Sequence, residues 1–206
     1  MIPNETNQTV EGQALRGDSE GRGLHICVFC SSSNHTAESY RRAAFFLGEK
    51  IAENGHILVY GGTKGGLMTA VAEGAKSKNG EIIGVIAQPI IRMKRQSDLP
   101  TQLIVVQNLS ERKQIMREFA DIFVVLPGGF GTLDEMFDVV ASGTVGEHRK
   151  PLFLANENGF FDHFLQEIKH MKSEKCIPED ETYSIEIIDS IQSGIEKIMD
   201  YKTKKQ

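Results

Sequence analysis

Short apolar runs alternate along this chain with longer stretches in which apolar residues return at every third or fourth place. The first pattern marks buried strands and the second amphipathic helices. Residues 24–30, 56–60, 81–87, 102–106, 121–126 and 151–155 read as strands, with 183–188 as a short strand at an edge. Between them, Tyr40, Ala43, Ala44, Leu47 and Ile51 give residues 37–54 helical spacing, stopped by Gly55. A second helix runs through Leu67, Ala70, Val71 and Ala75 to end near Gly80, and a third, capped by Ser110, runs through Ile115, Met116 and Phe119. Leu133, Met136, Phe137 and Val140 define a fourth and residues 160–171 a fifth. Ile191, Ile195 and Ile198 mark the last, capped by Asp189. This alternation predicts an α/β fold, a parallel doubly wound sheet flanked by helices, in one domain over residues 24–201. Residues 1–23 are polar and aperiodic and read as a flexible tail, with 202–206 as a short C-terminal one.

Two of the strand-to-helix joints are rich in glycine. In Leu126-Pro127-Gly128-Gly129-Phe130-Gly131-Thr132-Leu133-Asp134-Glu135 the glycines admit a ligand close to the backbone. The helix start adds unpaired N–H groups and a partial positive charge, which together suit a phosphate. The same residues also fit a capping box, with Thr132 as cap and Glu135 reaching back to its N–H. That pairing needs only Thr132 and Glu135 and leaves three glycines unexplained. The other joint, Gly61-Gly62-Thr63-Lys64-Gly65-Gly66, is neither a Walker loop nor G-x-G-x-x-G. Loops at the C-terminal ends of parallel strands converge on one crevice, so two such joints point to a shared site. The segment after the third strand carries Arg92, Lys94 and Arg95, either as a solvated loop or as a lid facing a phosphate. Arg112 falls in the first turn of its helix, where a charge ordinarily faces water.

Composition narrows this picture without redirecting it. At 206 residues, 40% hydrophobic and 25% charged, the chain is that of an ordinary globular domain. A net charge of −5 gives no support for a nucleic-acid or membrane surface. No apolar run approaches the roughly 20 residues that span a bilayer. The N-terminus lacks the basic-then-apolar order of a signal peptide, so a cytoplasmic protein is expected. Three cysteines argue against a disulfide framework. Cys27 and Cys30 match C-x-x-C but lie in a strand, where residues three apart point to opposite faces, so they read as structural. No histidine has a neighbour at zinc-site spacing, and no metal is expected.

With both glycine joints and the Arg112 helix in view, the chain resembles the LOG family, the cytokinin-activating phosphoribohydrolases often mislabelled lysine decarboxylases. The family motif P-G-G-x-G-T-x-x-E is complete at Pro127, Gly128, Gly129, Gly131, Thr132 and Glu135, and E-R-K at Glu111, Arg112 and Lys113. Similarity extends to Ile26-Cys27-Val28-Phe29-Cys30 with Ser32 and Ser33, to Val59-Tyr60-Gly61-Gly62 with Gly66-Leu67-Met68, and to Gly84-Val85-Ile86. The resemblance implies a Rossmann-like fold and hydrolysis of the N-glycosidic bond of a nucleoside 5′-monophosphate, AMP or a cytokinin nucleotide. The products would be free base and ribose 5-phosphate. It implies Arg112 and Glu135 as catalytic, with Ser32, Ser33, Gly62, Lys113, Gly128, Gly129, Phe130, Gly131 and Thr132 binding substrate. It also implies a homodimer that needs no cofactor. This chain departs from the family at Ser31, Thr63 and Thr69, where glycine is usual, and at Ala141-Ser142-Gly143, where the family tends to carry W-x-Q. A carrier that holds a nucleotide or phosphorylated cofactor without turnover is the alternative, favoured less because Arg112 and Glu135 are intact. Decarboxylation lacks a marked pyridoxal phosphate lysine.

Overall fold

The computed structural model describes residues 23–178 and 183–201. The expected tails therefore lie outside the described residues, Gly23 excepted. Among those described, seven strands form one parallel sheet in the order β4-β3-β2-β1-β5-β6-β7. The strands are β1 (His25–Phe29), β2 (Ile57–Tyr60), β3 (Ile82–Ala87), β4 (Gln102–Val106), β5 (Ile122–Val125), β6 (Leu152–Ala155) and β7 (Ile185–Ile188). All of β1, β3, β5 and β6 is buried, as their unbroken apolar runs require of strands covered on both faces. β4 and β7 close the two edges and are partly exposed.

The helices are α1 (Glu38–Glu53), α2 (Gly66–Ser77), α3 (Gln88–Arg92), α4 (Leu109–Phe119), α5 (Phe130–Thr144), α6 (Asp162–Ser173) and α7 (Ile191–Met199). On one face of the sheet, Leu47 and Ile51 of α1, Leu67 and Val71 of α2 and Ile198 of α7 pack on Ile26, Val28 and Cys30. On the other, Met116 of α4, Met136 and Val139 of α5 and Phe164 of α6 pack on Cys27 and Phe29. Cys27 and Cys30 thus enter opposite layers, both free and buried, and burial pushes both thiols well above their usual pKa.

Helix starts differ from the sequence reading at two places. α4 is capped by Asn108, whose side chain accepts from the Glu111 amide at 2.9 Å, so Ser110 lies inside the helix. α7 is capped by Ser190 in a reciprocal arrangement with Ser193, one residue after Asp189. In each case a residue one or two positions away has an equally competent side chain, and the tertiary path of the incoming strand selects between them. The basic segment after β3 holds the short helix α3, with Pro89 in its first turn, where a missing N–H costs nothing.

Candidate active site

In this strand order the chain runs outward from β1 to the β4 edge, then returns to lay β5 on the other side of β1. The helix following β1 covers one face and the helix following β5 the other, which opens a crevice at the strands' C-terminal ends. Arg112 from α4 and Glu135 from α5 meet there. The Arg112 Nη1 donates to Glu135 Oε1 at 2.6 Å, and its Nε donates to the Val85 carbonyl at 3.0 Å. Their exposures are 5% and 3%, so this is a buried ion pair and the opposite of the solvated Arg112 that local position predicts. Gly61 makes room for it: a Cβ there would fall 1.7 Å from Arg112 Nη2. Burial pushes the Glu135 carboxyl above the usual carboxylate range, with the Arg112 guanidinium pulling against it. Folding seldom retains a buried charge pair for stability alone, since its desolvation offsets most of the attraction.

The capping box is not formed. α5 begins at Phe130 with Gly129 as its cap, no side chain bonds that cap, and Thr132 already lies within the first turn. Glu135 is therefore released from local duty and faces the cleft. Neither Gly129 nor Gly131 has a heavy atom within 4 Å of where a Cβ would stand, so the space beside this turn is open. Among the described residues, no hydrogen-bond acceptor meets the amides of Phe130, Gly131 and Thr132.

The joint before α2 is closed. The Ser31 carbonyl takes the amides of Leu67 and Met68 at 2.9 and 3.2 Å, Asn34 Oδ1 takes that of Gly66 at 2.9 Å, and Thr69 Oγ1 that of Gly65 at 2.7 Å. Gly65 and Gly66 have φ of +122° and +50°, and a Cβ on Gly66 would fall 2.3 Å from the Ser33 carbonyl. These glycines serve chain-to-chain approach.

The cleft between the two joints has a volume of about 250 Å³. Of the residues the sequence nominates, Arg112, Glu135, Ser32, Lys113, Gly129, Gly131 and Thr132 line it. Ser33, Gly62, Gly128 and Phe130 do not. Gly62 sits against Ile86 and Leu103, Gly128 lies under Thr132, and Phe130 is 93% exposed. Sequence reasoning missed Met68, Ile90 and Leu109, which give the cleft an apolar wall, and Asp134, which holds Lys113 Nζ at 2.7 Å. Asp134 stands beside Glu135 in the motif, and that adjacency was the available signal. None of Ala141, Ser142 and Gly143 lines the cleft. Gly143 instead receives the Tyr183 ring, whose hydroxyl donates to the Lys150 carbonyl at 2.8 Å. Among the described residues no group of three or more His, Cys, Asp or Glu side chains could hold a metal ion, and no helix is long and apolar enough to cross a membrane.

Comparison with known proteins meets this geometry from outside. A family model described as "Possible lysine decarboxylase" matches residues 68–198. The chain is 38% identical over 164 residues to the cytokinin riboside 5′-monophosphate phosphoribohydrolase LOG of Oryza sativa subsp. japonica, covering 80% of this chain and 68% of that one. It is 35% identical over 148 residues to LOG7 of the same description from Arabidopsis thaliana, covering 72% and 68%. Among solved structures it resembles the molybdenum cofactor binding protein of the phototrophic bacterium Rippkaea orientalis, with a TM-score of 0.66 and 25% identity over 86% of this chain and 96% of that one.

Proposed function

This chain belongs to the LOG family, and from that membership and the cleft we propose that it hydrolyses the N-glycosidic bond of a nucleoside 5′-monophosphate, AMP or a cytokinin riboside 5′-monophosphate, giving free base and ribose 5-phosphate. One observation carries the reading: a buried carboxylate, Glu135, stands one helical turn from an open glycine-rich helix start. The 5′-phosphate takes the amides of residues 129–132, assisted by Lys113. The base lies against Met68, Ile90 and Leu109.

As the bond from C1′ to the base nitrogen breaks, its electron pair leaves with the base and positive charge gathers on the sugar. The Glu135 carboxylate stabilises that charge and orients the water that adds to C1′; the water's proton is lost and the base gains one. Arg112 favours the ionised form of Glu135 against its burial and fixes its direction. Water exclusion around the pair strengthens both effects.

A panel of nucleoside monophosphates and prenylated AMP, followed by chromatography, should yield free base and ribose 5-phosphate from at least one member. Binding of AMP without any release would restore the carrier reading. An absorbance spectrum lacking a pyridoxal band is expected, against the decarboxylase reading. We further propose that the protein works as a homodimer in the cytoplasm. Its apolar helices around the site support pairing, and its three cysteines, an odd count without a disulfide framework, fit a reducing compartment. A monomeric mass by light scattering at micromolar concentration would refute the dimer.

A further inference from the structure

The Arg95 guanidinium reaches across 63 positions of sequence to the loop after β1, where Nη2 donates to the Ser32 hydroxyl at 3.0 Å and to the Ser32 carbonyl at 3.3 Å. Ser32 lines the cleft, and Arg95, which bonds it, does not. The neighbouring serines are bonded differently. Ser31 Oγ accepts from the Ser33 amide and Ser33 Oγ from the His35 amide, both within the loop. Among the described residues only the Ser32 hydroxyl of these three accepts from a charged donor. An accepted charge-assisted bond occupies a lone pair and polarises the O–H, which leaves the hydroxyl proton as a stronger donor toward the cleft.

The Arg95 backbone is held just as firmly. Its carbonyl accepts from the Lys64 amide at 2.7 Å, the Ser97 amide donates to the Gly62 carbonyl at 2.9 Å, and Thr63 bridges Gln96. One residue therefore ties together the loop after β1, the closed glycine joint and the crossover from β3 to β4.

We propose that Arg95 is a positioning residue for substrate: it acts through Ser32, which it holds as a hydroxyl donor to a phosphate oxygen of the nucleotide. The inference rests on the nucleotide reading of the cleft. It gives a definite role to Arg95, which the sequence leaves between a solvated loop and a lid facing a phosphate.

Steady-state hydrolysis of AMP tests it. Arg95→Ala should raise KM about tenfold with kcat within about twofold, as loss of one charge-assisted contact implies. Ser32→Ala should match it, the double variant should be no worse than either alone, and Arg95→Lys should recover part of the loss. Should turnover be absent while AMP binds, the same ratios are read from Kd by calorimetry. A wild-type KM in Arg95→Ala, effects that multiply in the double variant, or a loss of kcat that tracks a fall in Tm would overturn the inference and leave the nucleotide reading standing. If the unmodified protein neither releases base from AMP nor binds it, both fall together.

Discussion

Two joints of this chain carry the same local composition and come to opposite ends. Before α2, glycines bring backbones into contact, and the helix start spends its amides on Ser31, Asn34 and Thr69. At the start of α5, Gly129 and Gly131 face open space and the first amides are left open, while Gly128 alone packs under Thr132. A glycine-rich turn between strand and helix is thus no anion site by itself. What decides is what the third segment does there: the loop after β1 meets both joints, but it gives the first an acceptor for its helix amides, the Ser31 carbonyl, and the second only a donor, the Ser31 amide on the Pro127 carbonyl at 3.1 Å.

The largest test falls on the open joint. Glu135→Gln should reduce base release by on the order of 10²–10³ while AMP affinity stays within a few-fold, measured by single turnover and calorimetry. A wild-type rate would remove Glu135 from the chemistry. On the closed joint, Gly66→Ala should cost folding stability on the order of 2 kcal/mol or more, since φ of +50° disfavours a side chain and the Ser33 carbonyl stands 2.3 Å from the new carbon. Denaturant unfolding would read this, and an unchanged midpoint would erase the distinction between the joints.

Gly131→Ala sharpens the comparison, because its two effects have opposite signs. Within a helix and with no atom near the new methyl, it should stabilise by about 0.5–1 kcal/mol. The same methyl enters the space proposed for phosphate, so AMP affinity should fall. A gain in Tm without loss of affinity would show that no ligand uses that space.

The smallest effect lies in pH dependence. Glu135 acts ionised and burial raises its pKa, so kcat/KM should fall as pH drops through a limb above the ordinary carboxylate range. Arg112 opposes that rise, so Arg112→Gln should move the limb to higher pH in whatever activity remains. A limb that stays in place would separate Arg112 from the ionisation of Glu135.

The apolar runs specified every strand and the faces of nearly every helix, because burying both faces of a sheet leaves little freedom about which residues face inward. Motif residues 127–135 likewise marked the joint where the cleft opens. Local position alone left Thr132 and Glu135 divided between a cap and a site, placed Arg112 in water until the family resemblance made it catalytic, and left Arg95 between a solvated loop and a lid facing a phosphate. Each of those turns on partners far along the chain: Glu135 on Arg112, Arg112 on the space at Gly61, and Arg95 on Ser32. Local periodicity is a property of neighbours in sequence, whereas the desolvation that makes a charge pair and the close approach that seals a helix start exist only once distant segments have been brought together.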